Sequence, residues 1–432
     1  MLALILCVLT CLLMIAALLF FSKIRLFGLS VSSYWVVAAA GALLLLLTGC
    51  IGGESVLAAF LSDSAVNPLK ILVLFISMTL LSVFLDEMGL FRYLAYRTLK
   101  RAGHDQHKLF LLLYTVVSVL TVFTSNDVIV LSFTPFICYF AVAARIDPLP
   151  YLAAEFVAAN TWSMMLEIGN PTNIYLAESY GISFLSYVGV MAIPTFVAGV
   201  VSLLCLWLLF RRRLSAPLYG EATPVTLPDK PSLFIGLFFL LGCTLLLAFG
   251  SYIGVPMWLV SLLSLLGLCL SVLLLSLLRH RRPAALAVLF RRAPWELVPF
   301  LLSMFVMVLS LSESGITDNL SSLLTFENKT LHFGLLSFLA ANLMNNIPMS
   351  VFFASLLEGV SGEGLMGALY ATVIGSNLGA FFTPIGALAG IMFGGILAKN
   401  GLRFGYRGFL KIGLTVAVPT LLSSLLALQL CI

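Results

Sequence analysis

Two long apolar stretches of this chain are each cut by a polar break that a membrane helix cannot carry without a purpose. In the first, Asn160 is followed by Glu167-Ile168-Gly169-Asn170-Pro171-Thr172-Asn173. In the second, Asn377 is followed by Thr383-Pro384-Ile385-Gly386. Both put an Asn eight residues before an Ile-Gly pair. Breaking a helix in lipid frees backbone N–H and C=O groups where water cannot take them, so such a break survives only inside protein or beside a water-filled cavity. Two breaks at matching points of two halves predict the substrate site of a secondary transporter.

The setting for these breaks is a chain of 432 residues that is 61% hydrophobic and 9% charged, which excludes an ordinary soluble domain. The fold class expected is an all-α polytopic membrane protein with about ten transmembrane helices and two re-entrant hairpins, arranged as two inverted repeats with discontinuous helices. Residues 1–21 resemble a signal peptide without a small-residue cleavage site and are read as a retained first helix. Spans of about 20 apolar residues are expected near 1–21, 34–51, 69–88, 185–210, 232–250, 257–278, 295–312 and 409–430, with the breaks inside 151–180 and 366–398. The stretches 109–144 and 333–357 carry a polar notch at mid-length and read as the hairpins.

Charge orients the spans, because Lys and Arg favour cytoplasmic loops. With both termini outside the cytoplasmic (inner) membrane, 21 of the 23 basic residues fall on the cytoplasmic side, all but Lys70 and Lys329. The opposite loops carry Glu54, Asp63, Glu178, Asp318, Glu327, Glu358 and Glu363. This asymmetry accounts for the net charge of +5 without a nucleic-acid partner.

The halves echo one another. Leu85-Asp86-Glu87-Met88-Gly89 matches Leu311-Ser312-Glu313-Ser314-Gly315, and Ser125-Asn126-Asp127 matches Met344-Asn345-Asn346. Ala192-Ile193-Pro194-Thr195 matches Ala417-Val418-Pro419-Thr420. The expected division is scaffold helices over 1–68, a first repeat over 69–210, a cytoplasmic linker over 211–231, scaffold helices over 232–290 and a second repeat over 291–432. Five spans and one hairpin per half invert the second copy relative to the first.

Each half thus offers a hairpin tip and an unwound loop. The candidate binding residues are Ser125, Asn126 and Asp127 at the first tip, and Asn160, Glu167, Gly169, Asn170, Thr172 and Asn173 at the first break. Asn345 and Asn346 at the second tip, and Ser376, Asn377, Thr383 and Gly386 at the second break, complete the set. Hydroxyls, amides and freed carbonyls are hard ligands suited to Na⁺, with Asn126, Asp127 and Asn170 as the candidate sodium set, while half-helix N-termini suit anions or polar neutral solutes. Asp127 is the sharpest residue, since a carboxylate in mid-membrane is costly and by default functional. Its competing role is to cap the returning hairpin arm. Glu167 offers the same chemistry, against the competing reading of a helix-end carboxylate facing water. For Glu155, an Arg partner, snorkelling and coupling are equal readings. Asp86-Glu87 and Glu313 read as structural or gating residues, and Glu296 as a helix N-terminal acid. Asn160 and Asn377 could equally tie helices together.

The eight Cys are scattered and form no CxxC, and the four His lie in loops, so neither a disulfide framework nor a metal cluster is expected. An intramembrane enzyme would need a nucleophile–base pair or metal triad, and neither HExxH nor GxSxG occurs. A passive scaffold gives no reason for two matched breaks. No resident cofactor is expected, only a coupling ion, Na⁺ or H⁺.

A set of these motifs resembles a known group. The first-half carriers are Asn126-Asp127, Thr134-Pro135 and Ile168-Gly169-Asn170-Pro171-Thr172-Asn173. The second-half carriers are Arg292-Ala293-Pro294-Trp295, Met344-Asn345-Asn346-Ile347-Pro348, Gly375-Ser376-Asn377-Leu378-Gly379 and Thr383-Pro384-Ile385-Gly386, with Tyr370 ahead of the last two. Together they resemble the arsenite/antimonite efflux permeases of the ion-transporter superfamily, whose relatives include sodium/proton antiporters and dicarboxylate/sodium symporters. The resemblance implies a scaffold, a mobile transport domain holding both hairpins, elevator-like motion and often a homodimer in the lipid bilayer. It also marks departures. Ser376-Asn377 stands where the arsenite permeases typically have Cys-Asp, and Phe381 where they have Lys. The second site therefore lacks those charge carriers, and Glu167 is the candidate substitute. Efflux of arsenite or antimonite leads among the functions, with sodium/proton antiport and sodium-coupled carboxylate (citrate or dicarboxylate) transport as alternatives.

Overall fold

The computed structural model describes residues 1–21, 23–26, 29–63, 67–215, 226–227, 229–280, 282–324, 326–360, 362, 364–384, 386–402, 404 and 406–432. Most of the expected linker, at 216–225 and 228, and Ile385 of the second break lie outside them.

The chain is helical almost throughout. α1 (Leu2–Phe20) is followed by a two-stranded antiparallel ribbon, β1 (Lys23–Leu26) and β2 (Leu29–Ser32), which the apolar pattern did not announce. Then come α2 (Ser33–Leu47), α3 (Gly53–Leu61), α4 (Pro68–Glu87) and α5 (Leu90–Ala102). The first hairpin is α6 (Gln106–Phe123) and α7 (Asn126–Ala144); the first broken helix is α8 (Leu149–Trp162) and α9 (Pro171–Ser179), with a 3₁₀ turn over Glu167–Gly169 between them. α10 (Phe184–Phe210) closes this half. α11 (Lys230–Ile253), α12 (Met257–Leu278) and α13 (Ala284–Arg292) lead to α14 (Leu297–Glu313) and α15 (Ile316–Leu323). The second hairpin is α16 (Lys329–Met344) and α17 (Asn346–Glu358), and the second broken helix is α18 (Gly364–Gly379) and α19 (Leu388–Lys399). α20 (Tyr406–Ile412) runs through a π-turn over Gly413–Ala417 into α21 (Val418–Cys431).

The order of elements therefore repeats: a long helix, a short one, a hairpin, a broken helix and a closing helix. The matched glycines repeat too. Gly89 and Gly315 take the left-handed conformation, at φ 82° and 66°, and start α5 and α15. That region is open to glycine without the penalty a Cβ brings.

Several helix starts are set by local side chains that take the free N–H groups. Asn67 accepts from Leu69 N and Lys70 N at the head of α4, with Pro68 in the first turn. Asp105 accepts from His107 N and Lys108 N at the head of α6. Ser125, Asn170 and Asn345 do the same for α7, α9 and α17.

Eight helices among the described residues are long and apolar enough to cross a membrane, and both arms of the first hairpin are among them. Those arms, of 18 and 19 residues, rise about 27 Å. α2, with 15 residues, is shorter than its expected span. Large apolar side chains face outward along α10, α11 and α12, among them Leu204, Leu208, Leu245, Phe249, Leu266 and Leu270. An exposed apolar surface of this extent is what lipid requires. The protein is a multi-pass integral membrane protein.

Candidate functional site

The first break is built around backbone groups that side chains recover. Asn173 Nδ2 donates to Ser163 O at 2.9 Å and to Leu166 O at 3.2 Å, satisfying carbonyls freed between α8 and α9. Asn170 caps α9 through Thr172 N, with Pro171 in the first turn where its missing N–H costs nothing. The turn is tight. A Cβ on Gly169 would stand 2.1 Å from Ser163 O, so glycine alone fits. Thr172 Oγ1 donates to Asn173 Oδ1 at 3.3 Å.

The second break is held differently. Gly375 and Gly379 let α18 lie against α16, where added Cβ atoms would strike Ser337 Oγ and Phe338 O. Thr383 Oγ1 donates to Asn342 Oδ1 at 2.6 Å. Asn346 N donates to Gly386 O at 3.0 Å, so the second hairpin tip reaches the second break through main chain. At the first tip the matching contact is between side chains, Asn126 Nδ2 to Asn160 Oδ1 at 3.1 Å.

The two breaks also meet each other. Asn377 Oδ1 accepts from Asn170 Nδ2 and from Ser163 Oγ, both at 3.0 Å. Its Nδ2 donates to Asn173 Oδ1 at 2.7 Å and to Val373 O at 2.9 Å. Both ends of the amide are used, as donor and as acceptor. A carboxylate could only accept, which gives a physical reason for Asn at this place. Asn160, Asn170, Asn173 and Asn377 are all at most 1% exposed.

The carboxylates are dispersed around this amide cluster. Asp127 is not the cap of α7, since Ser125 Oγ takes the Val128 N–H. Asn126 Oδ1 accepts from Asp127 N at 2.9 Å. The Asp127 side chain lines a cavity of about 460 Å³, together with Tyr34, Thr79, Arg291, Arg292 and Glu296. Of the sodium set, Asn126 and Asp127 adjoin each other, while Asn170 turns to Asn377. Glu167 is 0% exposed, and neither of its carboxylate oxygens has a hydrogen-bond partner among the described residues. Asn346 Oδ1 and Ser376 Oγ are buried in the same condition. Buried polar atoms without a protein partner are uncommon in a protein interior.

Glu155 is also fully buried. It has no Arg partner among the described residues; both oxygens share the Thr134 hydroxyl, at 3.2 and 3.1 Å. Glu296 makes no cap at the head of α14. Instead it accepts from Ser32 N at 3.3 Å and Tyr34 OH at 3.5 Å, anchoring the β-ribbon to the cavity wall. Arg292 reaches back to Asp86 and Glu87 at the end of α4.

Ser163, Asn342 and Tyr34 were not singled out from sequence. Ser163 lies within the first break's own motif, and Asn342 sits one turn before the second tip. Tyr34 carries no local signal. It becomes notable only because it lines both the Asp127 cavity and a small void beside Asn345.

Comparison with known proteins agrees with this architecture. Over 371 residues the chain is 28% identical to an "Arsenical pump membrane protein" of Escherichia coli, covering 82% of this chain and 85% of the relative. It is 24% identical over 428 residues to a "Putative arsenical pump membrane protein" of Bacillus subtilis, covering 91% and 93%. The expected resemblance to arsenite permeases is thus met at the level of whole-chain similarity. The Alcanivorax borkumensis YdaH transporter, described as having an unusual topology, shares the fold with a TM-score of 0.60 at 16% identity, covering 99% of this chain and 97% of that one. A family model described as "Citrate transporter" matches residues 16–372. With most of its length matched and its helices broken in pairs around a buried polar cluster, this chain belongs to the citrate transporter family, whose members are membrane transporters rather than enzymes.

Proposed function

We propose that the chain is an ion-gradient-driven efflux permease for arsenite or antimonite. The observation that carries this reading is the cavity at Asp127. Its wall carries Asp127 and Glu296 with Arg291 and Arg292, and Arg292 is already paired with Asp86 and Glu87 at the end of α4, so no cationic excess faces the cavity. Such a wall suits a neutral, hydroxyl-bearing solute better than a dianion, and undissociated arsenous acid is such a solute. Hydrogen bonds to its hydroxyls would do the recognition, since the polar part of an otherwise apolar lining is made of hydroxyl, carboxylate and guanidinium groups, with no Cys among the lining residues. Asp127 carries the coupling cation or proton at the first hairpin tip. The similarity to arsenical pump membrane proteins supports the substrate class.

The cavity lies between α2, α4, the end of α13 and the start of α14 on one side and α7 and α19 on the other. In our reading the first group belongs to a fixed scaffold and the second to a mobile unit with both hairpins. Elevator-like movement of that unit would carry Asp127 from one face of the membrane to the other. The repeated element order supports two inverted copies. A homodimer, an inner-membrane location and outside termini belong to the same proposal.

Sodium-coupled carboxylate transport is the second reading, favoured by Arg291 and Arg292 in the cavity wall. One experiment separates the two. Purified protein in proteoliposomes is given a proton or sodium gradient, and arsenite or citrate flux is followed. Gradient-driven arsenite flux without citrate flux is expected. Citrate flux that leaves arsenite unmoved would overturn the proposal.

A further inference from the structure

A second cavity, of about 260 Å³, lies between α1, α14 and the tip of the second hairpin. It touches the second hairpin tip through Met344 and Pro348 but is lined by none of the candidate binding residues. Of its 14 lining residues, five carry sulfur: Cys7, Cys11, Met304, Met307 and Met344. The whole chain has 8 Cys and 14 Met in 432 residues, so an apolar lining of ordinary composition would hold about one. No charged side chain lines it.

Cys7 and Cys11 are one helical turn apart on the same face of α1, a spacing that sets their Cβ atoms about 5–6 Å apart. Two thiols so placed can close on one soft atom between them. Thiolate and thioether ligands select soft metals and metalloids, whereas hard cations ask for oxygen. Cys7 Sγ already turns inward, toward Met307 O at 3.6 Å. The three Met thioethers on α14 and α16 complete a soft, dry lining around the pair.

We propose that this cavity is a binding site for trivalent arsenic or antimony, captured by Cys7 and Cys11 together. With arsenous acid, two S–H bonds and two As–O bonds break and two As–S bonds form. The thiol protons leave with the arsenic hydroxyls as two waters. Arsenic remains trivalent, so no oxidant or reductant is needed. This site is distinct from the transport cavity at Asp127 and holds its ligand by bonds that the transport cavity, which lacks thiols, cannot make.

The test uses the purified full-length chain and phenylarsine oxide, which bridges two close thiols with loss of one water. After treatment the protein is unfolded in dodecyl sulfate and its thiols are counted. Six titratable thiols in place of eight are expected, with one phenylarsenic per chain by intact mass and full recovery on adding a small dithiol. Cys7→Ser/Cys11→Ser should give six thiols with or without the reagent. Peptide mapping of the reagent-treated protein of unchanged sequence makes the same assignment without any variant. Eight thiols after treatment, or a loss of two that persists in the double variant, overturns the proposal. Neither outcome touches arsenite transport through the Asp127 cavity, which is read in a separate flux assay.

Discussion

The two broken helices carry matched sequences but are held by different partners. Asn160 of the first stays within its own half, bonded to Asn126 at the hairpin tip. Its counterpart Asn377 crosses to the other half and takes up Asn170, Asn173 and Ser163. The first break holds the buried carboxylate of Glu167, while the second is closed by neutral groups, Thr383 with Asn342 and Asn346 N with Gly386 O. A repeat in sequence has thus become a division of labour. One copy holds a buried carboxylate, and the other supplies the amide that links the two breaks.

The largest test of that division is at the hairpin tips. Asp127→Asn is expected to reduce gradient-coupled flux in proteoliposomes to background while the protein still elutes as a folded species. Asn346→Ala, at the matching neutral tip, is expected to keep its dependence on the driving ion. Equal loss of coupling in both variants would erase the proposed difference between the tips.

The next test compares the two asparagines. Asn377→Ala removes three side-chain hydrogen bonds and leaves Asn170 Nδ2 unpaired in the interior, while Asn173 Oδ1 keeps Thr172 and Ser163 Oγ keeps Asn160 O, and should cost about 3 kcal/mol of stability. Asn160→Ala strands only Asn126, for about 1 kcal/mol. Thermal unfolding in one detergent measures both, and similar losses would show that the crossing contact is not special.

Gly169→Ala is expected to lose about 2 kcal/mol by forcing a methyl group onto Ser163 O. Normal thermal stability in that variant would mean that the first break is looser than its geometry indicates. The smallest effect concerns Glu155 and Glu167, two fully buried carboxylates of the first half. Thr134→Val removes the single hydroxyl serving Glu155 and should cost about 1 kcal/mol. Glu167→Gln removes a carboxylate whose oxygens have no hydrogen-bond partner among the described residues, and should leave stability unchanged or higher while altering ion dependence. A folding defect in Glu167→Gln would assign that residue a structural role.

Much of the fold could be read from residues alone, because the membrane leaves few choices. Apolar length marked the helices, and the caps at Asn67, Asp105, Ser125, Asn170 and Asn345 begin them where those residue types occur. The hairpin at 109–144 became Gln106–Ala144, and the break within 151–180 became Leu149–Ser179. The β-ribbon at Lys23–Ser32 was missed because its pairing depends on register between two four-residue segments, which carries little hydropathy signal. Glu296 does stand at the head of α14, as its reading as a helix N-terminal acid required, but its side chain serves other groups than that helix's own N–H. Position at a helix start favours an acid there, but the partners it found, Ser32 N and Tyr34 OH, are more than 260 residues away.

By itself, then, the sequence determined the all-helical membrane class, the two polar tips and the two breaks, since each follows from local backbone needs in a solvent that offers no hydrogen bonds. Only the tertiary structure decided which amide meets which. An Asn can donate and accept equally well toward its own half or the other, and nothing local favours one over the other. Packing of α18 against α16 through Gly375 and Gly379 fixes where Asn377 stands, and that placement joins the two breaks into one buried cluster.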